Sequence, residues 1–318
     1  MRARLITVLI VLIALSLFVS AGSPESEAPT EINISYVKSP FNLPIMIMRS
    51  QGMLDEEFAA DGIEIRWHDI TSGARQAEAM AAGSLDIASV INSTSVVLAN
   101  AAGNEVSIAG AFSRPEQTFG IVTMPDGPAS VAELEGRRVA GPKGTVLHQI
   151  LVAALEREGL SETDVEFFSM GLPEARTALL AGEVDAALLA ASLIIRTQEA
   201  GGRVIATAEG NAVPKLVVAV RPAFLQDYPE LVDRYIAVQE EAMRFISENT
   251  EEALRIGAEE HGITLDDART LYGWADFTMT LNQGDITSMR EDVVFLLEQG
   301  MIDSRVEPED FVLERAME

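Results

Sequence analysis

The sequence predicts two α/β lobes, each built on a doubly wound sheet, followed by a helical carboxyl-terminal region. Three observations support this prediction. Short apolar runs alternate with helical patterns of roughly ten to fifteen residues between Glu31 and Val220. A weak internal repeat divides that part of the chain into two similar halves. After Val220, amphipathic helical patterns replace the alternation.

Ten apolar segments of strand length define the predicted sheets. Helical patterns fit between most of them, and this alternation favours parallel strands joined by helical crossovers. The predicted strands are residues 32–37, 63–70, 85–90, 106–112, 119–124, 137–140, 164–169, 185–190, 203–208 and 215–220. Residues 222–318 are predicted to be almost wholly helical.

The internal repeat pairs two lysines and two aspartates. AGSLDIA at 82–88 is echoed by AGEVDAA at 181–187, and in each a helix ends at Gly before Asp opens a buried strand. Upstream, Lys38 and Lys143 each lie between a predicted strand and a helix, 48 and 42 residues before Asp86 and Asp185. Two similarly wound lobes would produce this parallel, although two βα units of similar composition could also match by chance.

The first residues predict export. Residues 1–21 have the layout of a secretory signal peptide, with two arginines, a charge-free apolar run at 5–19 and small residues up to Ala21. The run is short for a membrane span, although an uncleaved anchor is the alternative. Residues 22–30, GSPESEAPT, predict a disordered tether. The sequence therefore predicts a periplasmic or extracytoplasmic protein, and the absence of cysteine excludes a thioether-linked lipid and disulfides.

The charge balance is strongly acidic. The chain has 23 basic and 49 acidic residues, a net charge of −26, and cleavage after Ala21 would remove Arg2 and Arg4 and leave −28. Such a surface disfavours nucleic acids and anionic membranes as partners. Lysine is rare, with three residues at 38, 143 and 215. This composition predicts a saline habitat, in which salt screens self-repulsion, or else reflects a GC-rich genome.

Polar loops between strands and helices supply the candidate ligand-binding residues. Ligands of open α/β sheets bind outside the carboxyl ends of the strands, and helix N-termini at that edge suit anions. Helix capping without a ligand is the alternative for each loop. The candidates are Lys38, Ser39, Phe41, Asn42, Ser72, Gly73, Asn92, Ser93 and Thr94 in the first half, and Lys143, Gly144, Thr145 and His148 in the second.

The loop GPKGT at 141–145 matches neither a Walker motif nor a dinucleotide fingerprint. A Walker lysine is followed directly by Ser or Thr, whereas Gly144 follows Lys143 here. The prediction is a tight turn that brings backbone N–H groups near a ligand, with Thr145 capping the helix that follows. His148 either faces the same cleft or is a solvated or otherwise satisfied histidine.

The sequence predicts no catalytic residues, no metal site and no cofactor. Cysteine is absent, the three histidines are far apart in sequence, and neither HExxH nor GxSxG occurs. Most carboxylates lie on predicted helix faces, where a solvated role is expected. Trp67 is predicted to pack in a core, and Trp274, placed after a helix, is a candidate for stacking on a ligand.

The order of these segments resembles one family. KSPFNLP, TSGARQAEAMAAGSLDIASV, GRRVAGPKGT and EARTALLAGEVDAALL, followed by a helical third, resemble the nitrate/sulfonate/taurine-type, thiamine-precursor-binding-like substrate-binding proteins of ABC importers. The resemblance covers nearly the whole chain after residue 21. It implies a type II periplasmic-binding-protein fold, with two α/β lobes, two crossover strands near 112–120 and 208–217, and a ligand clamped by hinge closure. Lobe one would comprise residues 31–113 and 217–318, and lobe two residues 114–216.

The resemblance also implies a function and partners. The chain would be a monomeric, non-enzymatic solute-binding subunit that captures a small anion, such as a sulfonate or nitrate, and delivers it to a membrane permease with its ATPase. Where many relatives carry a Trp-Asp-Pro-like stretch, this chain has LLAASLII at 188–195. Arg114 near the first crossover either pairs with an anionic ligand or is a solvated hinge arginine. The alternatives are a ligand-sensing module that docks on a membrane receptor and a thiamine-precursor-pathway enzyme relative.

Overall fold

A computed structural model describes residues 28–143 and 145–318, so the predicted signal peptide and most of the predicted tether lie outside the described residues. The strands are β1 Glu31–Ser35, β2 Glu64–His68, β3 Ile87–Asn92, β4 Ser107–Ser113, β5 Phe119–Thr123, β6 Arg138–Gly141, β7 Glu166–Ser169, β8 Ala186–Ala190, β9 Arg203–Thr207 and β10 Leu216–Val220. The helices are α1 Leu43–Ser50, α2 Met53–Phe58, α3 Gly73–Ala81, α4 Ser93–Ala101, α5 Val146–Arg157, α6 Leu172–Leu180, α7 Ser192–Glu199, α8 Pro222–Asp227, α9 Pro229–Glu248, α10 Thr250–His261, α11 Leu265–Ala275 and α12 Gln283–Glu298.

The strands form two five-stranded sheets with the same winding. Sheet one has the order β2-β1-β3-β10-β4, and sheet two has the order β7-β6-β8-β5-β9. Each predicted strand overlaps one of these ten. The predicted fold class, two α/β lobes with a helical carboxyl-terminal region, is confirmed.

The prediction of parallel strands is wrong for one inner strand of each sheet. β10 runs antiparallel to β3 and β4, and β5 runs antiparallel to β8 and β9. The physical reason is the path of the chain. β5 follows β4 of sheet one and β10 follows β9 of sheet two, so each of these strands enters its sheet from the other lobe and not through a crossover helix on its own sheet.

The two halves of the internal repeat share contacts as well as residue types. Asp86 accepts a hydrogen bond from the backbone N–H of Asn33 at 2.9 Å, and Asp185 accepts one from the backbone N–H of Arg138, also at 2.9 Å. Each carboxylate therefore ties the start of β3 or β8 to the neighbouring strand, β1 or β6. Each is also paired with an arginine, Asp86 with Arg221 and Asp185 with Arg138.

Neighbouring strand residues divide between the cores on the two faces of each sheet. In β3, Ile87 and Val90 face the cluster under the carboxyl-terminal helices, whereas Ala88 and Ile91 face a second cluster. In β8, Leu188 and Leu189 divide in the same way between two clusters of sheet two. Such strands, buried on both faces, read in sequence as continuous apolar runs.

The carboxyl-terminal helices complete sheet one's lobe. In α9 the buried residues Leu231, Tyr235, Val238, Ala242 and Ile246 recur every three or four positions and form one stripe against the core. Helix α12 packs on α4 through Met289, Val293 and Leu296. The predicted lobe boundaries stay a prediction about which segments move together. Among the described residues, none of the helices has the length and apolar character needed to cross a membrane.

Candidate ligand-binding cleft

The carboxyl ends of β1, β2 and β3 lie side by side, and each leads into a helix. Because the sheet order is β2-β1-β3, the loops before α1, α3 and α4 meet at one edge of sheet one. Sheet two repeats this arrangement with β7-β6-β8, whose loops lead into α6, α5 and α7. Three helix N-termini, with their unpaired N–H groups and partial positive charge, therefore lie at the corresponding edge of each sheet.

The loop from Lys38 to Asn42 is held by its own polar groups. The Asn42 side-chain amide donates to the carbonyl oxygens of Val37 and Ser39, both at 2.8 Å, and the Asn42 residue is 1 % exposed. Phe41 is buried in the core and its ring lies 5.8 Å from that of His261. The structure thus gives Asn42 and Phe41 scaffolding positions, while Ser39 is exposed at the loop tip.

Lys38 is anchored at the carboxyl end of α10. Its ammonium donates to the carbonyl oxygen of Glu260 at 2.8 Å, where the helix dipole favours a cation. The Tyr36 hydroxyl donates to the Glu260 carboxylate at 2.8 Å. Lys38 remains partly exposed, so its charge stays at this edge of sheet one.

Ser72, Gly73 and the Asn92–Thr94 segment come together. The Ser72 hydroxyl accepts from Arg75 N–H at 3.4 Å and the Asn92 side chain accepts from Thr94 N–H at 2.7 Å, so both side chains cap helices. A Cβ on Gly73 would lie 2.3 Å from the Ser95 hydroxyl oxygen, which shows how closely α3 begins against α4. Ser93 and Thr94 are buried.

In lobe two, the loop before α5 differs in detail from the prediction. Gly144 lies outside the described residues. The Thr145 hydroxyl donates to the Pro142 carbonyl at 2.9 Å, and Thr145 makes no side-chain cap for α5, so the predicted cap is wrong. The hydroxyl closes the turn instead, as Ser and Thr do when a local carbonyl is within reach.

His148 is fully buried and does not line an open cleft. Its ring lies against the rings of Phe167 at 5.1 Å and Phe295 at 5.7 Å, and its Nε2 is 3.1 Å from the Glu162 carboxylate. The Lys143 ammonium, on a half-exposed side chain, lies 3.8 Å from the same carboxylate. The satisfied-histidine alternative therefore describes His148, and Lys143 lies beside it at the surface.

Arg114 and Trp274 lie where the lobes meet. The Arg114 guanidinium binds the Asp285 carboxylate, with Nε donating to Oδ1 at 2.8 Å. The guanidinium donors are therefore directed at a carboxylate of the protein. Trp274 lies in the last turn of α11, not after it, and packs against clusters of both sheets. Burial opposes ionisation of Asp285, but Arg114 and the Asn282 N–H hold the pKa of that carboxyl below its ordinary value.

Two further loops, from which no candidate residue was predicted, occupy equivalent positions in lobe two. Gly171 precedes α6 as Ser72 precedes α3, and Ala191 precedes α7 as Asn92 precedes α4. Ala191 has φ of 50° and ψ of −127°, an unusual conformation for a residue with a side chain. It contacts the core of lobe one. Aligning the whole repeat, and not only its lysines and aspartates, would have found both loops.

Positive charges from the two lobes converge near His261. Burial lowers the pKa of His261, the Pro40 carbonyl opposes this, and the charges of Lys38 and Arg196 lower the pKa further. Lys38 follows β1 in lobe one, whereas Arg196 lies on α7 in lobe two. The described residues contain no group of three or more His, Cys, Asp or Glu side chains able to hold a metal ion. The arrangement suits binding of an anion between helix N-termini and cations.

Comparisons with known proteins agree with this geometry. A family profile described as NMT1/THI5 like matches residues 58–253. A protein of Bacillus subtilis (strain 168), named for the binding of aliphatic sulfonates, is 28 % identical over 255 residues, covering 77 % of this chain and 75 % of its own length.

Solved structures share the fold. The periplasmic aliphatic sulphonate binding protein SsuA from Escherichia coli superposes with a TM-score of 0.83 at 19 % identity, covering 92 % of this chain and 94 % of its own. The alkanesulfonate-binding protein SsuA from Xanthomonas axonopodis pv. citri, bound to MOPS, gives a TM-score of 0.79 at 20 % identity, covering 90 % and 98 %. These structures confirm the predicted fold class, and the family profile confirms the resemblance.

Proposed function

The chain belongs to the NMT1/THI5-like family, and we propose on this basis that it is the extracytoplasmic solute-binding subunit of an ABC importer. It captures a small anionic solute of the sulfonate class between its lobes and delivers it to a membrane permease with its ATPase. The protein acts as a monomer after removal of residues 1–21. Residues 31–113 with 217–318, and residues 114–216, move as two bodies.

The observation that carries this proposal is the doubled set of helix N-termini. Three helices begin at adjacent strand ends in each sheet, and Ala191 of one lobe contacts the core of the other. A ligand between two such edges receives backbone N–H groups from both, and hinge closure then encloses it. In this proposal the ligand-facing residues are Lys38, Ser39, Ser72, Gly73, Asn92, Thr94, Gly144, Thr145, Gly171 and Ser192.

The charge of the site supports an anion. The whole chain has a net charge of −26, yet Lys38 and Arg196 bring positive charge to the same place from different lobes. The relative named for aliphatic sulfonates and the neighbour bound to MOPS both support the sulfonate class. A sulfonate presents three acceptor oxygens. Several convergent N–H donors can bind these oxygens at once, so such donors suit a sulfonate better than one strongly basic side chain would.

A binding role without catalysis is favoured by the chemistry of the side chains. The chain has no cysteine, and two of its three histidines have structural surroundings, His148 under aromatic rings and His261 against the Pro40 carbonyl. Neither a cofactor nor a metal ion is part of the proposal.

Calorimetric titration with matched sulfonate and carboxylate pairs tests the ligand class. Taurine and methanesulfonate are compared with β-alanine and acetate, and MOPS is included as a bulkier sulfonate. A ligand at a hundredfold excess over its Kd should raise the free energy of unfolding by about 2.7 kcal/mol. Equal binding of the carboxylates would make the sulfonate assignment wrong, and absence of binding by every anion would remove the support for anion capture. Recovery of chemically altered ligand by mass spectrometry would contradict the non-enzymatic role.

A further inference from the structure

Lys215 is buried away from the strand-end loops that carry Lys38 and Lys143. It precedes β10, directly after the second crossing between the sheets, and the residue is 2 % exposed. Its ammonium donates to the Ser288 hydroxyl at 2.8 Å and to the Val213 carbonyl at 2.7 Å, and it lies 3.4 Å from the Asp292 carboxylate. A buried ammonium requires such partners, because an isolated charge would lose its hydration.

Helix α12 makes an equivalent contact with the first crossing. Arg114, directly after β4, binds the Asp285 carboxylate, whose side chain is 3 % exposed. Asp285, Ser288 and Asp292 are spaced by three and four residues, so they lie on one face of α12. One helix face therefore holds both segments that connect the lobes.

The same helix also reaches into lobe two. The Asp292 carboxylate accepts from the side-chain amide of Gln149 on α5 at 3.2 Å, and Phe295 contacts the ring of His148, also on α5. A groove of about 470 Å³ lies between the two helices, lined by Val152 and Glu156 on one side and by Glu291 and Phe295 on the other. The link between α5 and α12 thus depends on a few side chains.

Helix α12 itself is fixed in lobe one. Its neighbouring stripe, Met289, Val293 and Leu296, is buried against sheet one's second cluster. At its start, Asn282 and Asp285 form a reciprocal cap, so Asp285 orders the helix end and the Arg114 side chain together.

We propose that α12 is a hinge brace: through Arg114, Lys215 and Gln149 it fixes both connecting segments and the ligand-facing helix α5 of lobe two relative to lobe one. Arg114, Lys215, Asp292 and Gln149 are positioning residues that act on ligand affinity by setting the angle between the lobes. The effect on ligand capture rests on the proposed function. The effect on lobe geometry does not.

The absence of cysteine allows a direct measurement on the full chain without ligand. Ala82→Cys and Ala181→Cys place spin labels at exposed, repeat-equivalent ends of α3 and α6, one in each lobe. Pulsed electron resonance then gives the distance distribution between the lobes. Four hinge variants are compared, Arg114→Gln, Gln149→Leu, Ser288→Ala and the double variant Lys215→Met/Asp292→Asn. Arg234→Met is the control, because it removes a 2.6 Å ion pair with Glu57 inside lobe one.

Hinge variants should raise the population of the minor lobe arrangement about tenfold, from the few per cent typical of a two-state protein, while the control leaves the distribution unchanged. Gln149→Leu and Ser288→Ala leave no buried charge without its partner, so they provide the test if the others fail to fold. Folded hinge variants with the parental distribution would overturn the proposal, as would an equal shift in Arg234→Met. Because no ligand is present, either result is independent of whether sulfonates bind.

Discussion

Removing the Lys215 charge alone should destabilise the protein far more than removing the whole buried pair. The Lys215 ammonium and the Asp292 carboxylate are 3.4 Å apart, and their side chains are 1 % and 10 % exposed. With an effective dielectric constant of about 20, their attraction at 3.4 Å is about 5 kcal/mol, and it offsets the cost of burying two charges. Lys215→Met leaves the carboxylate buried without that attraction, and we expect a loss of about 3–5 kcal/mol at pH 7.5.

The loss should depend on pH with a defined sign. Burial raises the pKa of Asp292, and the positive charge of Lys215 opposes that rise. Without Lys215 the folded-state pKa of Asp292 rises further above its unfolded value. As pH falls through the raised pKa, the folded protein binds a proton that the unfolded chain does not, and it gains stability relative to the unfolded chain. The destabilisation by Lys215→Met should therefore be smaller at about pH 5 than at about pH 7.5.

Urea unfolding followed by circular dichroism measures this loss, and the matched control is the double variant Lys215→Met/Asp292→Leu. An apolar pair of similar volume should return the free energy of unfolding to within about 2 kcal/mol of the parent. A single variant that costs less than about 1 kcal/mol would show that the two groups are not coupled as the geometry indicates. The same conclusion would follow if the losses of unfolding free energy in Lys215→Met and Asp292→Leu simply added up in the double variant.

Four further outcomes are expected, three from individual contacts and one from the acidic composition. Lys38→Gln should weaken alkanesulfonate binding about tenfold in calorimetry, whereas half-exposed Lys143→Gln should stay within about twofold, because solvent screens a charge so exposed. Burial lowers the pKa of His261 below its ordinary 6.5, so stability should fall as pH decreases through about 6.5, and His261→Gln should reduce that slope in thermal melts. Gly141→Ala places a Cβ 2.5 Å from the Leu188 Cβ and should cost about 1–3 kcal/mol in urea unfolding, with an accompanying loss of affinity because the Lys143 loop follows directly. Melting temperature should rise between about 0.1 and 2 M KCl, and a flat curve would favour a genomic origin for the acidic composition.

The sequence by itself determined the elements and their order. The apolar run 216–220, within the predicted strand 215–220, for example, became β10, because a segment buried on both faces of a sheet is apolar throughout. The repeat of Asp86 in Asp185 predicted equivalent windings, since each aspartate binds the backbone of the adjacent strand. Four of the six strand-end loops were likewise predictable from polar residues placed before helical patterns, whereas the loops at Gly171 and Ala191 carry no such polar residue.

The tertiary structure decided direction, burial and partnership. Local periodicity shows which face of a helix or strand is apolar, but not which distant group will pack against that face. Arg114 meets Asp285 across 171 residues, and Gln149 meets Asp292 across 143. For the same reason, His148 and Phe41 looked like candidates for a cleft until packing placed both in cores. Antiparallel β5 and β10 follow from the chain's passage between lobes, a global property that no single segment encodes.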